Sequence, residues 1–156
     1  MRGVVSCWIA LVLMGCNKPA DRPADSTAGE APTMEATPAT ISLADVAGTW
    51  NVRSKVEGNE STVVTYDMVA TADRSGWSIN FPNREPIPVR IVAVEGDSIV
   101  SEAGPFESVL RKGVQVSTQV VSRLQDGKLV GTTVARYQVT GPDTVARLRF
   151  EGTRAP

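Results

Sequence analysis

The 156-residue chain contains no histidine, two cysteines, eight aromatic residues, and 16 Lys and Arg set against 17 Asp and Glu. Without histidine, triads with a His base, most catalytic zinc sites and His-ligated haem are excluded. Two cysteines are too few for a disulfide-built miniprotein. The longest largely apolar stretch, residues 4–14 with Ser6 inside it, is eleven residues long, well short of the ~20 that a membrane-spanning helix needs. A near-zero charge balance with little interleaving of aromatic and basic residues argues against a nucleic-acid binder, so no nucleic-acid partner is expected.

That short apolar run sits behind Arg2 and ends in Leu13-Met14-Gly15-Cys16. A charged start followed by an apolar stretch reads as a secretory signal over residues 1–15. The tetrapeptide resembles the lipobox of bacterial lipoproteins. The resemblance implies cleavage between Gly15 and Cys16 and attachment of a diacylglycerol to the Cys16 thiol. Cys7 leaves with the signal. At ~0.8 kcal/mol per buried CH₂, two or three acyl chains hold a protein on a bilayer effectively permanently. The expected address is the bacterial cell envelope, periplasm-facing or surface, with the membrane as partner through the anchor; Asn17 after the lipidated position favours the outer membrane over the inner.

Residues 17–40 contain four Pro, six Ala and four Thr, and no Val, Ile, Leu, Phe, Trp or Tyr. So little apolar side chain does not offset the entropy of ordering. Residues 16–40 therefore read as a lipidated cysteine and a tether, spanning roughly 27 Å root-mean-square as a coil.

From Ile41 onward the composition turns to Val and Thr, with turn residues every eight to twelve positions. That is the pattern of an all-β domain over residues 41–156. Trp50, Val52, Ser54 and Val56 alternate with polar residues; so do Val64, Tyr66, Met68 and Ala70, then Trp77, Ile79 and Phe81. Residues 89–94 form a further strand, restricted by Pro88 to an edge or strand start. Residues 98–102 and 106–111 read as two strands with a turn at Ala103-Gly104-Pro105. Val114, Val116, Thr118, Val120, Ser122 and Leu124 share one face of the clearest strand, and Asp126-Gly127 turns it into residues 129–139. Residues 144–151 finish. Eight or nine short antiparallel strands predict an up-and-down barrel of about eight strands, with a β-sandwich as the alternative. Ser42-Leu43-Ala44-Asp45 fits a capping box, so one helical turn precedes the first strand.

Gly48-Thr49-Trp50 at the start of that first strand resembles the Gly-x-Trp signature of lipocalins and related calycins. The resemblance implies a barrel-closing role for Gly48 and Trp50, with an Arg from the last strand beside the Trp. Arg147, Arg149 and Arg154 are all candidates. It also implies a small apolar or amphipathic ligand inside the barrel. Tyr66, Met68, Trp77 and Phe81 are the large side chains on inward faces, hence the candidate pocket wall, which a filled core would equally use.

Charge divides unevenly. Residues 41–110 carry 5 Lys and Arg against 10 Asp and Glu, and residues 111–156 carry 8 against 3, giving balances of −5 and +5. One reading gathers Arg123, Arg136, Arg147 and Arg149 around an anionic ligand. The other, favoured, has them in cross-strand ion pairs worth ~0.2–1 kcal/mol each. Asp67, Asp97, Glu102 and Glu107 sit at turn or strand positions where solvated acids are expected, and no pair suggests catalysis. Asn59-Glu60-Ser61 matches a glycosylation acceptor only in a eukaryotic secretory route, which the lipobox argues against. The expectation is a non-enzymatic protein with no metal or cofactor: either a binder of a small lipophile, or an envelope interaction module whose barrel is filled and whose outer face docks a partner protein.

Overall fold

The computed structural model describes residues 40–156, so Gly15, Cys16 and nearly all of the proposed tether lie outside the described residues. After a single helical turn, α1 (Leu43–Val46), come eight strands: β1 (Gly48–Val56), β2 (Thr62–Ala70), β3 (Ser78–Asn80), β4 (Ile87–Glu95), β5 (Ser98–Glu107), β6 (Gln115–Gln125), β7 (Lys128–Tyr137) and β8 (Val145–Arg154). Each pairs antiparallel with its sequence neighbour, and β8 pairs with β1 to close the barrel. Closure leaves no edge strand, although the short β3 pairs with β2 only over Asp67–Val69 and with β4 only at Pro88 and Ile87. The sandwich alternative is thereby set aside.

Period-2 alternation does most of the work. Trp50, Val52 and Ser54 are buried between exposed Asn51 and Arg53, and Ile99, Ser101 and Ala103 repeat the pattern on β5. Eight strands leave an interior just wide enough for side chains. Its filling mixes large and small residues. Phe150 lies against Gly131, where an added Cβ would stand 2.0 Å from the Val121 carbonyl oxygen and 2.8 Å from the Phe150 ring. Only glycine fits there.

One expectation is corrected. Ala103-Gly104-Pro105 does not turn the chain into a ninth strand; it is an irregularity within β5, where the register to β6 shifts between Ala103 and Phe106. Gly104 has φ +111°, and a Cβ there would meet the Val116 carbonyl oxygen at 2.7 Å, so the distortion depends on glycine. Residues 108–114 then form a loop, not the end of a strand. The shift keeps Phe106 facing inward beyond the bulge, packed against the core.

The two ends of the barrel differ. At one end α1 lies across the opening, its cap formed by Ser42 and Asp45 in reciprocal hydrogen bonds. Val46 is fully buried, Ile41 and Leu43 pack on the core, and the Ile41 amide donates to the Gly96 carbonyl at 2.8 Å. At the other end the openings between strands are spanned only by loops 57–61, 81–86, 108–114 and 138–144. The buried residues form two clusters accordingly, a large one toward the α1 end and a small one of Val116, Ala135, Tyr137 and Leu148 toward the mouth.

Candidate functional site

The closed end is built around Trp50. Its indole is fully buried and donates from Nε1 to the Val46 carbonyl at 2.8 Å, tying β1 to α1. Of the three candidate arginines, Arg154 is the one beside it. The guanidinium lies 4.5 Å from the indole centroid and donates to the carbonyls of Ala47 at 2.7 Å and Asp45 at 2.6 Å. Stacking plus two charge-assisted hydrogen bonds makes this a clamp from the last strand onto the first turn. Gly48, at φ +132°, lets it pass: a Cβ there would stand 2.9 Å from Arg154 Nη1. Gly48, Trp50 and Arg154 thus meet where the first strand, the last strand and α1 come together.

The mouth half holds an interior cavity of about 70 Å³. Tyr66, Phe81 and Phe106 form one wall, with the Tyr66 and Phe81 rings 5.3 Å apart and Phe81 and Phe106 6.2 Å apart. Val116, Val120 and Leu148 line the opposite strands, and Ser108, Val109 and Leu110 lie at the mouth. Between these apolar groups stand hydroxyls, those of Ser54, Tyr66, Thr118, Thr133 and Tyr137. No acidic or basic side chain lines it. Burial pushes the Tyr66 phenol up to about 12, a shift that the Ser54 hydroxyl partly opposes.

The sequence-based pocket candidates divide here. Tyr66 and Phe81 line the cavity; Met68 and Trp77 are buried in the larger cluster toward the closed end. The Trp77 indole donates to the carbonyls of Asp73 at 2.9 Å and Thr71 at 3.1 Å, holding the β2–β3 loop rather than facing a ligand. Arg136, Arg147 and Arg149 do not enter the interior. They alternate with buried Ala135, Tyr137, Leu148 and Phe150, which puts them on the outer, solvent face. Sequence reasoning missed Phe106, because Gly104-Pro105 reads as a turn, and did not single out Thr118, although its alternation with Val116 and Val120 places it inward.

The expected neutralisation of the basic strands is only partial. Arg149 reaches Glu57 at 3.6 Å, Lys128 reaches Glu151 at 3.0 Å, Arg123 reaches Asp97 at 3.0 Å, and Arg90 pairs with Glu102. Closure nevertheless sets β8 beside β1, whose outward residues include Arg53 and Lys55, so that Arg149 stands directly opposite Lys55. Glu57 and Glu60 relieve that like-charge contact, Glu60 bonding Lys55 at 2.9 Å. Arg136 and Arg147 take part in no ion pair among the described residues. The outer face also carries wider hollows, one of about 700 Å³ over β1 and β8 and one of about 540 Å³ over β4 to β6, which Arg136 borders. Both are lined by long charged and polar side chains and lack the apolar enclosure of the interior cavity.

Among the described residues no cluster of acidic residues or cysteines has the grouping of a metal site, and no helix is long and apolar enough to cross a membrane. No protein-family model, curated protein or solved structure matches the chain. The all-β closed barrel of eight antiparallel strands is the level at which its architecture is established.

Proposed function

We propose that this protein is a non-enzymatic, lipocalin-like binder of a small lipophile, held on a bacterial envelope membrane by a diacylglycerol at Cys16. The observation that carries the binding half is the cavity: an aromatic and aliphatic enclosure with a few hydroxyls, located where the barrel is spanned by loops instead of a helix. Ordinary ligand pockets measure about 300–1,000 Å³. At about 70 Å³ this one takes a few heavy atoms, or one end of a longer molecule entering past the loop that carries Ser108, Val109 and Leu110. The Gly48, Trp50 and Arg154 clamp supports the kinship with calycins, since it joins the Gly-x-Trp segment to the last strand. The anchor rests on Leu13-Met14-Gly15-Cys16 alone.

Titration of residues 40–156 with neutral lipophiles, followed by amide NMR, tests the binding half. Saturable shifts confined to Tyr66, Phe106, Thr118 and their neighbours are expected, and shifts absent or scattered over the outer face sink it. Mass spectrometry of the mature N-terminus tests the anchor, with a chain beginning at an acylated Cys16 as the expected product and an intact Gly15–Cys16 bond as the contrary one.

A second reading has its own support. Most of the interior is filled, and the outer wall of β1, β7 and β8 presents Arg53, Arg136 and Arg147 without ion-pair partners among the described residues. A docking module for an acidic envelope protein would use that wall. Its signature is co-purification of one partner that is lost in Arg136→Glu/Arg147→Glu, with no response to lipophiles.

A further inference from the structure

The mouth cavity contains one atom out of balance. Thr118 Oγ1 is buried and has no hydrogen-bond partner, the only such side-chain atom among the described residues. Buried polar groups are nearly always paired, and an exception in a native fold marks a place where a water or a ligand belongs. Of the neighbouring hydroxyls, Ser108 Oγ is already engaged, accepting from the Leu110 and Arg111 amides, both at 3.1 Å. Thr118 is free to both donate and accept.

Its surroundings define what could satisfy it. Thr118 pairs with Ala103 on one side and Ala135 on the other, so small neighbours leave room around the hydroxyl. Ile79, Phe81, Phe106 and Val120 provide the apolar remainder. No cation lines the interior cavity: Arg136, Arg147 and Arg149 stand on the outer face, where Arg136 borders a separate hollow over β4 to β6 that Thr118 also touches. A carboxylate brought here would lose its hydration with no counter-charge to replace it. A neutral hydroxyl would exchange hydrogen bonds with Thr118 in either direction and bury its alkyl part against the aromatic wall.

We propose that the cavity is a site for neutral alcohols and discriminates against carboxylates, with Thr118 as the specificity-determining residue. The proposal deepens the lipophile-binding reading and rests on it. Three compounds separate the two: 1-hexanol, hexanoate and cyclopentane, titrated into residues 40–156 at neutral pH by NMR. That segment contains every strand and both core clusters, so the barrel is complete within it. Hexanol is expected to bind at least about tenfold more tightly than hexanoate. Thr118→Val should weaken hexanol by about three- to tenfold and leave cyclopentane unchanged, as the loss of one hydrogen bond requires. Thr118→Ser, which retains the hydroxyl, should keep the preference for hexanol over hexanoate. Equal binding of hexanol and hexanoate, or a Thr118→Val effect shared by hexanol and cyclopentane, overturns the proposal while leaving lipophile binding intact. Failure of all three to bind the wild-type barrel overturns both.

Discussion

The two halves of the barrel share strands and alternation yet are finished in opposite ways. Toward α1, both indoles and the clamping arginine have fixed polar partners: Trp50 on the Val46 carbonyl, Trp77 on the Asp73 and Thr71 carbonyls, Arg154 on Asp45 and Ala47. Toward the mouth, the comparable positions carry hydroxyls around unfilled space, and Val109 and Leu110 remain exposed. A filled, latched end supplies the stability that lets the other end stay loosely packed. Local stability in a small domain is uneven in this sense, and binding surfaces are drawn from its weaker part.

Breaking the latched half should give the largest effect. Trp50→Ala removes a fully buried indole and its bond to α1, and is expected to cost about 3–5 kcal/mol, read as a lowered midpoint in urea unfolding. Next comes Arg154→Ala, at about 1–3 kcal/mol, since two charged hydrogen bonds to carbonyls are lost while the partners stay solvent-accessible. Arg147→Ala, on the same strand but outside the clamp, should change stability by under about 0.5 kcal/mol. Comparable losses for the two arginines would dissolve the distinction between clamp and surface.

At the mouth the sign reverses. Thr118→Val replaces an unpaired buried hydroxyl with a methyl of similar shape, and without ligand should stabilise the barrel by about 1 kcal/mol. A destabilised Thr118→Val would mean that the hydroxyl is already satisfied, most simply by water.

Two pH experiments sharpen the contrast. Tyr66 is held protonated to about 12 in the folded barrel, against 10.0 for a free phenol, so the native state binds the extra proton between those values. Its contribution is therefore complete below pH 10 and declines as pH rises toward 12. Absorbance titration should show a tyrosine that ionises only as the barrel opens, and Tyr66→Phe should remove that step. The smallest effect belongs to Asp45, whose carboxylate is held below its usual value of 3.8 by the Ser42 amide and then the Ser42 hydroxyl. That stabilisation is present above pH 3.8 and fades as the pH falls through the lower folded value. Asp45→Asn should flatten acid unfolding slightly without altering the midpoint of alkaline unfolding.

Much of this architecture was legible as alternation. Trp50, Val52 and Ser54 on one face, or Val116, Thr118 and Val120 on another, follow from a two-residue repeat that any strand imposes. The Gly-x-Trp segment and the capping box were likewise visible, because each is completed within a few residues. Phe106 was hidden by a local signal that means a turn in most contexts, and Gly104-Pro105 became a mid-strand irregularity only because β6 continues to pair beyond it. Met68 and Trp77 shared an inward face with Tyr66 and Phe81, but facing inward does not say which end of a cylinder a residue occupies.

The order of polar and apolar residues along the chain determined by itself that this would be an antiparallel all-β structure, which residues would turn inward, and that any site inside would lack histidine chemistry. The place of Phe106 was decided by the shift between β5 and β6; which arginine lies at the base and why β8's cations meet those of β1 were decided by the register in which the last strand returns to the first. That pairing joins residues about a hundred positions apart, as Trp50 with Arg154 illustrates. No repeat of two residues encodes such a distance, so only the closed structure specifies it.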